Sequence, residues 1–258
     1  MIEEAMLDQA FLEWLRATTE ARWADPTLRD TALMGLGQPT WQPGTRWRGG
    51  LTDSDLRILE AMFSLRLPGA YRRFLAVLHT PDPAMAAVQS RAGRLIRVEE
   101  RRFTDWTGPT TPLIAALEAP LDGVLRGVAL GRWHPSWGER PGDERERARR
   151  VRRLAAAGPR LVPVAGHRYL VAAPGAEDGP VIAVHGADAA LFAPDLRGAL
   201  LRELGLADPD RPAAAAADED DAAIAPPGQP AASNAPIPFW SDVIDGLVWL
   251  PTGVPART

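Results

Sequence analysis

The stretch Arg160–Leu204 constrains the fold of this chain more than any other. It contains three short apolar runs rich in β-branched and aromatic residues: Leu161–Val164, Tyr169–Val171 and Val181–Val184. Because turn-forming residues separate these runs, the pattern predicts three strands joined by turns. Leucines then recur along Pro194–Leu204 at helical spacing, which predicts a helix with one broad apolar face. The stretch therefore predicts a sheet closed by a helix.

Helical patterns dominate the residues before this stretch. Apolar spacing predicts a helix over residues 3–24 and a short helix from Asp25-Pro26 to about Gly35–Gly37. Thr52 and Asp55 have the spacing of a capping box, and Leu67-Pro68-Gly69 separates that helix from one ending near His79. The other predicted elements are a turn at Thr80–Pro83, a strand at Arg94–Val98, a helix from Thr111 to about Glu118, a strand at Val128–Trp133 and a charged helix at Asp143–Ala157.

Charge and composition exclude several classes of function. The net charge of −4 does not provide the basic surface that nucleic acids or anionic membranes require. The absence of cysteine excludes disulfides, thiolate zinc sites and thiol catalysis. No window approaches the ~18 consecutive apolar residues of a membrane span. The N-terminal residues carry acids where a secretory signal carries positive charge, so we expect a cytoplasmic protein.

Catalytic and metal-binding motifs are absent from the sequence. The four histidines, His79, His134, His167 and His185, lack the spacing of a metal-binding helix face. No serine stands in a Gly-x-Ser-x-Gly turn, no glycine-rich phosphate loop occurs, and there is no lysine for a Schiff base. A pair of carboxylates acting as general acid and base stays open on spacing alone. We therefore expect no enzyme, no cofactor and no metal.

Several residues are candidates for a binding surface. Aromatic and arginine side chains occur together in many protein–protein interfaces, and the candidates of this kind are Trp106, Trp133, Trp137, Glu139 and Arg140. A second group lies around the predicted strands: His167, Arg168, Tyr169 and His185. The arginines of the 143–157 helix suit an acidic partner. Each group also has a structural interpretation, because tryptophans cover cores, histidines bind local backbone and charged helices face solvent.

Three pieces of sequence resemble one known family. Gly50–Pro83, with its Leu-Pro-x-x-Tyr-x-x-Phe-Leu spacing, resembles the opening helical hairpin of the SUKH superfamily, named partly for the fungal Smi/Knr cell-wall regulator. Asp105–Pro141 is similar to that family's aromatic loop ending in Trp-Gly-x-Arg-Pro. Gly158–Leu204 resembles a bacterial branch with a Gly-His-Arg-Tyr motif, and Pro238–Asp242 is similar to the end of that branch. Residues Ala187–Phe192 depart from the branch, which usually carries more polar and tyrosine-rich sequence there.

The resemblance implies an α+β domain with a mixed or antiparallel sheet and packed helices. It also implies a non-catalytic interaction module, because bacterial SUKH proteins are commonly immunity proteins that bind toxins of polymorphic toxin systems. The fungal relative is a regulatory scaffold. The alternatives are such a scaffold with another partner, and a small-ligand or enzymatic site around His167, Tyr169 and Trp133.

The expected organisation along the chain has four parts. The resemblance to SUKH proteins covers the central part, and the Ala/Pro/acidic composition of the following residues predicts a disordered linker. The apolar residues after it predict a segment that docks back on the domain. The parts are a helical extension at 1–50, a SUKH-like domain at 51–206, the linker at 207–236 and the C-terminal segment at 237–258.

Overall fold

The computed structural model describes residues 7–25, 40–210 and 236–249. In these ranges the chain has an α+β fold of helices and small antiparallel sheets. The chain divides into two compact units. The first comprises Met1–Leu113, Val164–Gly166 and Ala176–Asp178, and the second comprises Ile114–Pro163, His167–Gly175 and Gly179–Thr258.

Among its described residues, the first unit combines three helices with two small sheets. Its elements are α1 (Gln9–Trp23), β1 (Arg46–Gly49), α2 (Asp53–Met62), α3 (Gly69–Val77), β2 (Leu78–Asp82), β3 (Met85–Arg91) and β4 (Arg94–Glu100). Strand β1 pairs antiparallel with β2, and β3 pairs antiparallel with β4. Aromatic side chains fill the interior, where Trp47 packs edge-on against Phe74 and Phe103.

Local capping signals place the helices of the first unit. The side chain of Thr52 accepts a hydrogen bond from the Asp55 amide, and the Asp55 carboxylate accepts one from the Thr52 amide. This reciprocal pair confirms the predicted capping box at the start of α2. Helix α3 ends at Val77, so His79 and residues 80–82 of the predicted turn at Thr80–Pro83 belong instead to β2, where pairing with β1 determines the extended backbone. The helix predicted after Asp25 lies outside the described residues.

The second unit contains a four-stranded sheet and the remaining helices. Its sheet has the order β6 (Arg160–Ala165), β7 (Arg168–Ala172), β8 (Val181–His185) and β9 (Asp188–Ala193). Strand β8 is antiparallel to both β7 and β9. The other elements are α4 (Thr110–Ala129), β5 (Arg132–Trp133), a 3-10 turn (Pro135–Trp137), α5 (Glu144–Ala157), α6 (Leu196–Leu204), α7 (Trp240–Asp245) and β10 (Val248–Trp249). The boundary between the units falls within α4, and the last residues of β6 belong to the first unit.

The predicted strand at Val128–Trp133 is wrong for most of its length. Helix α4 continues through Pro120 to Ala129, and only Arg132–Trp133 form a strand. The apolar positions Val124 and Val128 are buried in the core, four residues apart on one helix face. Packing of this face accompanies the extension of the helix beyond its predicted end near Glu118. Strand β9 was not predicted.

The apolar C-terminal segment lies in the core of the second unit. Its buried members are Ile237, Phe239, Trp240, Val243 and Leu247, in one cluster with residues of α4, α5 and the sheet. Strand β10 also pairs with β5. The structure describes residues 207–210 and Pro236 of the predicted linker, and the residues between them lie outside the description, as do residues 250–258. Within the described ranges, no helix is long and apolar enough to cross a membrane.

Candidate binding surface

Helix α5 presents four exposed arginines, here called the arginine face: Arg145, Arg149, Arg152 and Arg153. The helix begins at Asp143, whose carboxylate accepts a hydrogen bond from the Glu146 amide, and Val151 is its fully buried side chain. The four arginines stand three, four, seven and eight residues apart, which places their side chains on the same side of the helix. Within the described ranges none of them forms an ion pair.

Two other arginines of α5 bind the neighbouring loop, His134–Gly142. The guanidinium of Arg147 donates to the carbonyl oxygens of Pro141 at 3.0 Å and Gly142 at 2.7 Å. The guanidinium of Arg150 donates to the carbonyl oxygen of Glu139 at 3.3 Å. These bonds connect the loop to the helix. The same helix thus contains arginines with a structural role and arginines without one.

The arginine face carries an electrostatic cost. Like charges three or four residues apart on a helix destabilise it by about 0.2–0.5 kcal/mol per pair, and arginine does not lose its charge at neutral pH. Arg149 and Arg153 form one such pair, and Arg149 and Arg152 form another. The nearby Glu146 contributes, with three of these arginines, to the lining of a shallow depression. Glu146 stands three residues before Arg149 and offsets part of this cost.

Stacked aromatic rings support the loop from the protein interior. Trp133 and Trp137 meet edge to face with ring centres 5.4 Å apart, and Trp137 stacks on Phe239 at 5.5 Å. The indole of Trp133 donates a hydrogen bond to the carbonyl oxygen of Gly138, and the indole of Trp137 donates one to Asp242, each at 2.8 Å. These rings are buried, so they fix the position of the loop while its polar residues face outward.

A serine, a histidine and an aspartate meet on this loop without the geometry of a catalytic triad. The Nδ1 atom of His134 lies 2.7 Å from the Ser136 hydroxyl and 3.6 Å from the Asp242 carboxylate. A triad requires the nucleophile and the acid at opposite ring nitrogens, whereas here both approach the same atom. The ring also accepts a hydrogen bond from the Ser136 amide. His134 therefore caps the 3-10 turn.

Trp106 belongs to the first unit, and the other candidate residues belong to the second. Its indole donates a hydrogen bond to the hydroxyl of Tyr71 at 2.9 Å, and its amide donates one to Nε2 of His79 at 2.9 Å. Burial raises the pKa of Tyr71 and lowers the pKa of His79. All three side chains are buried, so Trp106 organises a polar contact inside the unit.

Two candidates of the second unit, Glu139 and Arg140, differ in exposure. Glu139 is exposed, and the half-buried Arg140 has Nε and Nη2 atoms without a hydrogen-bond partner within the described ranges. Burial, together with the charge of Arg147, lowers the pKa of Arg140. These two residues lie in the same loop as the Trp133–Trp137 pair.

The second group of candidates lies on the sheet. Tyr169 is in the core cluster, and burial raises its pKa. Arg168 stacks on Phe192, with its guanidinium carbon 4.2 Å from the ring centre. The exposed rings of His167 and His185 approach each other. A ligand site built on the ring faces of Trp133 and Tyr169 would require this core to open.

Comparison with protein-family models, curated proteins and solved structures finds no match. Within the described ranges, no group of three or more histidine or acidic residues is arranged to hold a metal ion. The sequence predicts the arginine-rich helix but not the separation of its arginines into loop-binding and exposed sets. That separation follows from the 3.6-residue repeat once the buried side of the helix, marked by Val151, is known.

Proposed function

We propose that this protein is a non-catalytic protein-interaction module of the SUKH type. We further propose that it binds its partner with the arginine face of α5 and the adjoining loop His134–Gly142. The observation that carries the proposal is the set of exposed arginines that form no ion pair with any described residue, on a helix whose other arginines are bound. Unpaired guanidinium groups at a fixed surface are suited to carboxylates, which they bind in bidentate geometry.

The loop adds features typical of an interface. Its backbone is fixed on one side by Arg147 and Arg150 and on the other by the buried rings of Trp133 and Trp137. A surface that is rigid before binding loses little conformational entropy in the complex, which favours affinity.

The chemistry of the surface favours a partner with an acidic patch. The net charge of −4 alone would suit a basic partner such as a nuclease, but the arginine face has the opposite local sign. Local charge at the contact, rather than net charge, determines electrostatic complementarity. If the protein is an immunity protein, as the SUKH resemblance implies, the toxin surface it covers would be acidic.

The proposal is tested by co-expression with the products of the neighbouring genes. Each product is expressed with and without this protein, and growth and co-purification are measured. An immunity function predicts that one product arrests growth alone and that co-expression restores growth with a stable complex. A specific complex without toxicity supports a scaffold. If no neighbouring product binds, the immunity proposal fails.

A pair of charge-reversal variants tests whether the arginine face is the surface used. Arg149→Glu/Arg152→Glu is compared with Arg66→Glu/Arg94→Glu, in which two exposed arginines of the first unit undergo the same change of net charge. We expect the first variant to lose rescue and co-purification and the control to retain both. Equal behaviour of the two variants would place the binding surface elsewhere.

A further inference from the structure

Strand β4 forms the open edge of a small sheet in the first unit. Within the described ranges it pairs with β3 alone, in an unbroken antiparallel register from Met85↔Glu100 to Arg91↔Arg94. None of the side chains of β4 is fully buried, and Leu95 is 70% exposed. A two-stranded ribbon gains stability from further strands, and an unpaired edge is a template for pairing with another chain.

The hydrogen bonds around β3 show which groups of β4 point to the open edge. Ala86 of β3 exchanges both of its backbone hydrogen bonds with Thr40 on the far side of the strand, at 3.0 and 2.9 Å. Its partner in β4, Glu99, therefore faces it in a non-hydrogen-bonded pair. Because such pairs alternate with hydrogen-bonded ones, Leu95, Arg97 and Glu99 direct their N–H and C=O groups away from β3.

We propose that β4 pairs antiparallel with β4 of a second copy of this chain, about a two-fold axis at Arg97. This contact joins the two hairpins into one four-stranded sheet. Each outward-facing residue exchanges two hydrogen bonds with the residue opposite, so the open edge is satisfied along the length of the strand. The partner is a second copy because the sequence of β4 is complementary to its own reverse.

The complementarity lies on the face that carries Ile96 and Val98. In this register Arg94 lies opposite Glu100 of the second copy and Ile96 lies opposite Val98, and the two-fold axis repeats each pair. Ile96 and Val98 are half-buried, so the pairing extends an apolar row. Glu100 lies 3.9 Å from Arg102, beyond hydrogen-bond distance, and its carboxylate can accept from the second copy. Opposite-charge and apolar cross-strand pairs both stabilise a sheet.

The outer face of the strand carries one unfavourable pair. Arg97 lies opposite Arg97 of the second copy, and like charges directly opposite each other destabilise a sheet. Each Arg97 guanidinium lies 4.0 Å from the carboxylate of Glu99 on its own strand, which offsets part of the repulsion. Leu95 lies opposite Glu99 and adds no repulsion. Two attractive charge pairs and two apolar pairs therefore outweigh one partly neutralised repulsive pair.

Sedimentation velocity of the untagged full-length protein, from about 1 μM to about 1 mM, tests the proposal. We expect the mass to increase reversibly with concentration from 27.9 kDa to about twice this value. Arg94→Glu should weaken dimerisation by roughly tenfold or more, because two attractive pairs become repulsive. Arg94→Glu/Glu100→Arg exchanges the signs and should restore dimerisation to within about threefold. The matched control is Arg66→Glu, an exposed arginine of the first unit outside β4, which should change the affinity by less than about twofold.

Three outcomes would overturn the proposal. The first is a monomer throughout this range of concentration. The second is equal dimerisation by Arg94→Glu and Arg66→Glu, which would place the contact elsewhere. The third is a double variant that dimerises as weakly as Arg94→Glu, which would exclude the antiparallel register. Circular dichroism of each variant establishes that it is folded before sedimentation.

The proposed contact is separate from the proposed function, because β4 shares no residue with the arginine face. None of the three outcomes therefore bears on partner binding by α5. The variant Arg66→Glu/Arg94→Glu should lose self-association and retain its protein partner.

Discussion

Replacing Trp240 by alanine tests the structural role of the C-terminal segment. Trp240 is 4% exposed, packs edge-on against Phe239 at 5.0 Å, and donates an indole hydrogen bond to the carbonyl oxygen of Pro159 at 3.2 Å. Burying an aromatic side chain removes roughly 150–250 Å² from water, which at about 25 cal/mol per Å² stabilises the fold by ~4–6 kcal/mol as an upper bound. The hydrogen bond adds about 1 kcal/mol.

We therefore expect Trp240→Ala to lower the free energy of unfolding by about 3–5 kcal/mol, the usual range for such a cavity. Urea denaturation followed by far-UV circular dichroism measures this as a lower midpoint at an unchanged slope. The matched control is Trp249→Ala in the same segment. Trp249 is 66% exposed, so its loss should cost less than about 1 kcal/mol. Equal midpoints for the two variants would refute the assignment of this segment to the core.

Three further changes test local features of the fold. Thr52→Ala removes the side-chain acceptor of the α2 capping box and should cost about 1 kcal/mol, measured by urea denaturation. Gly123→Ala should destabilise the protein in a thermal melt although alanine favours helices, because its Cβ would meet the Gly186 carbonyl; an increased melting temperature would contradict this contact. Burial lowers the pKa of His79, so the unfolded chain binds more protons and stability should decrease below about pH 6.5, with a shallower slope in His79→Gln.

Elements with local signals were predictable from the sequence. The capping pair of Thr52 and Asp55, the charged helix that begins after Asp143, and the three apolar strand runs all appear where the patterns predict them. Each depends on residues within a few positions of one another, so the sequence contains the whole signal. The α+β class follows from the same elements.

Elements that depend on distant contacts were mispredicted. Helix α4 extends past its predicted end near Glu118 because Val124 and Val128 pack into the core, and the local pattern assigned Val128 to a strand instead. His79 lies in a strand because β2 pairs with β1, which is remote in sequence. Strand β9 has little β-branched character, and its pairing with β8 defines it.

The candidate site was predicted in part. The sequence indicated the loop Trp137–Arg140 and the arginine-rich helix, but it could not separate buried rings from exposed polar groups. Trp133, Trp137 and Tyr169 are interior, whereas Glu139 and the arginine face are exposed. This separation depends on which side of each element faces the core, and only the packed structure supplies that information.

The most direct test of the central claim is the affinity for a neighbouring gene product that co-purifies, measured by titration calorimetry for the wild type and for Arg149→Glu/Arg152→Glu. We expect at least about 30-fold weaker binding by the variant, because two unfavourable charges replace two favourable ones. The wild-type affinity should also decrease as salt increases. Binding by the variant that equals that of the Arg66→Glu/Arg94→Glu control, with no dependence on salt, would contradict the claim.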